Sequence, residues 1–127
     1  MKPTLLTIKK MADTTGTSAH TLRYYEKAGL LASIARSSNG YRLYSEADVA
    51  WIEFLQRLKA TGMSIQQMQQ FAALRYKGDE TITQRRVLLE EHAQIVQKQI
   101  SEWSRNLSAL EDKIDHYKQL EGEKRNG

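Results

Sequence analysis

Residues 83–120 contain neither glycine nor proline, and across this stretch apolar side chains return alternately every four and every three residues. Leu89, Ala93, Val96, Ile100, Trp103, Leu107, Leu110, Ile114 and Tyr117 are nine consecutive positions of that repeat, the a/d seam of a coiled coil. A helix of this length extends about 57 Å, more than the remainder of a 127-residue chain can cover. No turn residue interrupts the segment, so an intramolecular helical hairpin is disfavoured and a second copy of the chain is the expected partner along these nine residues.

Upstream the chain is divided into short elements by Gly16, Gly29, Gly40 and Gly62. Thr7 is placed to cap a first helix whose inner face is Ile8, Met11 and Ala12. Ser18 caps a second helix that runs to Lys27 or Ala28 and ends at Gly29. The spacing Ala12, Gly16, Leu22 suits a helix-turn-helix: a small residue at the crossing, a glycine in the turn, an apolar residue locking the second helix. Residues 34–36 and 41–44 read as two short strands joined at Asn39-Gly40, a wing leaning on neighbouring helices. Alternation places Tyr44 inside. Ser45, with Asp48 near the reciprocal position, opens a third helix with Val49, Ile52, Leu55 and Leu58 as its apolar stripe. Ser64 with Gln67 opens a fourth, with Ile65, Met68, Phe71 and Ala72 buried. The expected architecture is mainly α: residues 1–78 a winged helix-turn-helix DNA-binding unit, 79–120 a long coiled-coil dimerisation helix, 121–127 a solvated tail.

The length suits one domain's worth of sequence, and the absence of cysteine removes thiolate metal sites, disulfides and thiol nucleophiles. No apolar run approaches bilayer length and the first six residues lack a signal-peptide core, so a cytoplasmic protein without membrane association is expected. The net charge of +4 is unevenly distributed. Residues 1–78 carry 11 Lys and Arg against 5 Asp and Glu, whereas 79–127 carry 8 against 10. The basic part is the one with the helix-turn-helix pattern.

On the second helix His20, Arg23, Tyr24 and Lys27 fall at i, i+3, i+4 and i+7, opposite Leu22 and Tyr25. This is an outward stripe suited to phosphates and base edges of a major groove; Arg23 fits either a guanine or a phosphate. Ser18 and Thr21, at the start of the same helix, complete its candidate contacts. The wing adds Arg36, Asn39, Tyr41 and Arg42 around Gly40, which permits close approach of backbone to phosphate. Trp51 and Trp103 read as packing residues. Enzyme chemistry is absent from the pattern. The carboxylates Glu90-Glu91 and Glu111-Asp112 lie on outer heptad positions, and His92 and His116 occupy g and c positions about 36 Å apart along the helix. No catalytic residue, metal site or cofactor is expected.

Three segments together resemble the MerR family of bacterial transcription regulators: Thr7-Ile8, then Thr21-Leu22-Arg23-Tyr24-Tyr25-Glu26-Lys27-Ala28-Gly29-Leu30-Leu31, then Asn39-Gly40-Tyr41-Arg42-Leu43-Tyr44. Leu58 to Ile65 extend the similarity. The resemblance implies an antiparallel coiled-coil homodimer that binds an inverted repeat in promoter DNA and bends and untwists it in response to a signal, so that RNA polymerase engages both promoter elements. It also implies that Arg23 and Tyr24 act from the recognition helix, Tyr41 and Arg42 from the wing, and Lys59 as a further phosphate contact. Many relatives carry a proline before the wing arginine, where this chain has Ala32-Ser33-Ile34-Ala35-Arg36. The cysteine-based sensing of metal- and thiol-responsive relatives does not transfer. An effector site is expected near Phe71, Tyr76 and the partner's dimer helix at Trp103. The competing reading is a helical coiled-coil interaction module with weak or no specific DNA binding.

Overall fold

The computed structural model describes residues 5–32 and 34–126. The readings that rest on residues 1–4, Ser33 and Gly127 lie outside these. The chain runs β1 (Leu6–Thr7), α1 (Ile8–Thr15), α2 (Ala19–Lys27), β2 (Ala35–Arg36), β3 (Arg42–Tyr44), α3 (Glu46–Ala60), α4 (Ile65–Lys77), a 3-10 turn (Asp79–Thr81) and α5 (Ile82–Asn126). By internal contacts it divides into two units, Met1–Leu88 and Leu89–Gly127.

In the first unit α1, α2, α3 and α4 each start on a hydroxyl cap. Thr7 accepts from the Lys10 amide and Ser18 from the Thr21 amide. Ser45 with Asp48 and Ser64 with Gln67 form full reciprocal capping boxes. Gly16 ends α1 at φ 69°, a left-handed conformation that a side chain would strain.

The core is built where these helices meet: Met11, Leu22, Tyr25, Leu30, Leu31, Tyr44, Trp51, Ile52, Leu55, Leu58, Met68, Phe71 and Ala72 are buried. Trp51 joins the buried face of α3, stacked on Phe71 with ring centroids 5.8 Å apart, while Val49 is only half-buried. Ile65 departs from expectation. It is 37% exposed, because in the first turn of α4 it lines the rim of a surface cleft rather than facing the core.

The wing also holds more than the expected two strands. β3 lies between β1 and β2 in an antiparallel sheet, with Leu6 opposite Tyr44, Thr7 opposite Leu43, Ala35 opposite Leu43 and Arg36 opposite Arg42. Two isolated short strands would be marginal, and β1 supplies the third. Tyr44 is fully buried, as its place in the alternation requires.

At its C-terminal end the first unit is closed by Thr81. Its single hydroxyl proton is shared between the carbonyls of Leu74 and Gly78, and its oxygen accepts from Arg85 Nε at 3.1 Å.

The second unit is entirely helical through Asn126. Residues 121–126, expected as a tail beyond the helix, continue it; they include no proline, and Gly122 alone does not stop a helix already formed. Ile100, Trp103, Leu107, Leu110, Ile114 and Tyr117 are all more than half exposed in the single chain. No helix among the described residues is long and apolar enough to cross a membrane.

Candidate nucleic-acid interface

The helix α2 has two faces. Leu22 and Tyr25 are buried, and Leu22 is inaccessible. His20, Arg23, Tyr24 and Lys27 are exposed on the other face, Tyr24 by 50%. Nine residues with a capped start hold this stripe in one row, as a groove-reading helix requires. Ser18 and Thr21 are differently placed. The Ser18 hydroxyl donates to the Thr21 hydroxyl at 2.9 Å and accepts from the Thr21 amide at 3.1 Å, so both are engaged in the cap.

The turn between α1 and α2 is fastened from α3. Gln56 Nε2 donates to the Thr15 carbonyl at 2.8 Å and to the hydroxyl of Thr17, itself 7% exposed. Nothing in the hydrophobic periodicity of α3 marks Gln56 for this task. The segment following α2 is held in a comparable way by three side chains. Gln69 donates to the Ala28 carbonyl at 2.8 Å and Trp51 Nε1 to the Leu30 carbonyl at 2.7 Å, while the Ala32 amide donates to the Tyr76 hydroxyl at 3.0 Å. Arg75 lies over the Trp51 ring at 4.4 Å, a cation–π contact on the same support.

The wing loop closes through the Ser37 amide to the Tyr41 carbonyl at 2.8 Å and the Gly40 amide to the Ser37 carbonyl at 2.9 Å. Gly40 is at φ 82°, so the tip is a left-handed turn. Tyr41 is 70% exposed, and Asn39 and Gly40 are exposed beside it. Arg36 and Arg42 both meet Glu26 of α2: Arg36 Nη2 lies 3.1 Å from Oε1, and Arg42 Nε bonds Oε2. That hydrogen bond pushes the Arg42 guanidinium above its ordinary pKa. Glu26 lies inside the quoted helix motif without a role in the sequence reading; an acidic residue beside a basic stripe was the available signal.

Lys59 is exposed near the end of α3. It borders both an open groove of about 440 Å³ at the helix-turn-helix corner and an apolar cleft of about 240 Å³ lined by Tyr24, Tyr25, Met63, Ile65 and Met68. It therefore stands on the α2 side of the unit with the stripe.

The other candidates divide. Phe71 is 5% exposed and packed between Trp51 and Phe54, and the Tyr76 hydroxyl is engaged by Ala32. Trp103 belongs to the second unit and is 76% exposed. No group of three or more His, Asp or Glu is arranged to hold a metal among the described residues.

A capped two-helix corner, an exposed basic stripe on its second helix and a basic three-stranded wing define a winged helix-turn-helix protein. A family model described as MerR HTH family regulatory protein matches residues 6–74, and one described as MerR, DNA binding, matches residues 49–121. The chain belongs to the MerR family of DNA-binding transcription regulators. An HTH-type transcriptional regulator of Haemophilus influenzae is 41% identical over 111 residues, which is 87% of this chain and 82% of the relative. AdhR of Bacillus subtilis is 36% identical over 89 residues, 70% of this chain and 64% of its own. Among solved structures, HiNmlR, a MerR family regulator lacking the sensor domain, bound to promoter DNA, aligns with a TM-score of 0.83 at 39% identity, covering 94% of both chains. A MerR family transcriptional regulator from Listeria monocytogenes aligns at 0.84 with 34% identity, covering 88% of this chain and 85% of that one.

Proposed function

We propose that this regulator acts as a homodimer on an inverted repeat in promoter DNA, placing α2 in the major groove and the wing on the flanking backbone. The observation that carries this is the exposed row His20, Arg23, Tyr24 and Lys27, beside a wing bearing Arg36, Tyr41 and Arg42. Base edges are read from such a row, and phosphates are met by the wing and Lys59. The heptad seam of α5, exposed in the single chain from Ile100 to Tyr117, brings two units together in an antiparallel coiled coil and so supplies two half-sites. That a related regulator has been crystallised on promoter DNA supports the partner class.

The protein works by binding rather than catalysis, in the cytoplasm, where RNA polymerase at the same promoter is its second partner. Bending and untwisting of the bound DNA is the proposed response to a signal. The residues proposed for sensing a signal are Phe71, Tyr76 and the partner's Trp103.

Footprinting on fragments of the source genome at two salt concentrations tests this reading. Protection of an inverted repeat, weakening steeply with salt, is the expected result. No protected site at either salt would overturn it in favour of a coiled-coil interaction module.

A further inference from the structure

Arg36 and Arg42 face each other directly across the β2–β3 ladder. Like charges at directly opposed positions repel and destabilise a strand pair. Here one carboxylate resolves the conflict: each oxygen of Glu26 takes one guanidinium, Arg36 at 3.1 Å and Arg42 in a close ion pair. Arg36 additionally donates Nη1 to the Gly40 carbonyl at 3.2 Å, reaching the tip of the wing loop. A single side chain of α2 thus ties the central strand β3 and the outer strand β2 of the wing and, through Arg36, the tip.

The arrangement is unexpected for a surface built only for affinity. Glu26 adds negative charge where phosphates are to be met, and it occupies donors of two cations. An arginine has five N–H donors, however, so each retains donors for a phosphate after meeting Glu26. The carboxylate therefore leaves phosphate contact available in one wing pose and disfavours it in others. Its side chain is 23% exposed, which makes the pair less screened than one on an open surface.

We propose that Glu26 is a specificity-determining positioning residue: it sets the wing against the recognition helix and withholds the charge of Arg36 and Arg42 from DNA that is out of register. This rests on the DNA-binding function proposed above. Removing the carboxylate frees both arginines, so binding to arbitrary DNA strengthens while the advantage of the correct site shrinks.

The test compares wild type, Glu26→Gln and Glu26→Asp, each shown to be folded by thermal melting, on two duplexes. One is the duplex that wild type selects from a random-sequence pool, the other a scrambled duplex of equal length. In Glu26→Gln, affinity for the scrambled duplex should rise several-fold, its salt dependence should steepen by about 2 units of log–log slope per dimer, and the selected-to-scrambled ratio should fall about tenfold or more. Amide exchange at Gly40 should accelerate as the wing loosens. Glu26→Asp keeps the charge but is too short to reach both arginines, so it should lose the ratio with a salt slope close to wild type. An unchanged ratio in Glu26→Gln overturns the proposal, and an aspartate variant that retains the full ratio overturns its positioning part. Arg23→Ala separates the two levels. If that variant binds both duplexes as wild type does, or wild type selects no duplex, the DNA-binding reading fails and takes this inference with it. If Arg23→Ala loses binding while Glu26→Gln keeps the ratio, only the inference fails.

Discussion

The indole nitrogen of Trp51 donates a 2.7 Å hydrogen bond to the carbonyl of Leu30, joining α3 to the segment that leads from α2 into the wing. Both groups are buried, so neither has water as an alternative partner. Trp51→Phe keeps an aromatic ring against Phe71 but strands that carbonyl and leaves a void. The expected loss is about 2–3 kcal/mol of unfolding free energy, from the unsatisfied carbonyl and the cavity together. Urea melts of the two proteins measure it; a loss below about 0.5 kcal/mol would contradict the assigned role.

Lys59→Ala and Arg23→Ala should differ in kind. Loss of a phosphate contact weakens selected and scrambled duplexes alike, and with two copies per dimer should lower the salt slope by about 2. If Arg23 reads a base, its removal should cost about 1–3 kcal/mol per half-site on the selected duplex and little on the scrambled one. Titrations across a salt series distinguish the two patterns; identical behaviour of the variants would assign Arg23 to the backbone.

Tyr44 is fully buried and its hydroxyl is the buried side-chain polar atom without a hydrogen-bond partner among the described residues. Burial raises its pKa above the ordinary tyrosine value, and that of Tyr25 as well. The folded state therefore holds these phenolic protons more tightly than the unfolded chain does. Their contribution to stability is fully present below the unfolded value of about 10 and is lost as pH rises above it. Tyr44→Phe removes an orphan hydroxyl and should be neutral or stabilising by up to about 1 kcal/mol at neutral pH. It should also flatten the fall in stability above pH 10. Melts at several pH values check both; a clear loss at pH 7 would show that the hydroxyl has a partner.

Leu107→Glu places a charge within the α5 seam, where the native side chain is 56% exposed in the single chain. Sedimentation should show a dimer for wild type and a monomer for the variant, because a carboxylate cannot be buried unpaired between apolar seams. Ser108→Glu, one position outside the seam, should remain dimeric. Equal masses for wild type and Leu107→Glu would remove the heptad as the dimer interface.

What the sequence made legible follows from rules acting over three or four residues. The caps at Thr7, Ser18, Ser45 and Ser64 are legible because a hydroxyl binds the amide three residues on, a relation visible in one dimension. The two-faced character of α2 and the inward turn of Tyr44 came from periodicities of 3.6 and 2. The fastening was not visible for the opposite reason. Gln56 reaches Thr15 across 41 residues, Tyr76 meets Ala32 across 44, and Glu26 meets Arg42 across 16. Such pairings depend on how the helices cross, which no local pattern encodes. Strand β1, two residues long, is too short to show alternation, and Ile65 followed the helical period but lies at its end, where the covering layer stops.

His20, Arg23, Tyr24 and Lys27 share a nine-residue helix with Leu22 and Tyr25, yet only the latter two are part of the packed interior. Exchanges on the outer row leave the corner, the caps and the interior intact. On the DNA-reading role proposed for this row, a lineage built on this scaffold would acquire new target sequences through four positions while the fold is inherited unchanged, and duplicated copies would diverge in address before they diverge in architecture.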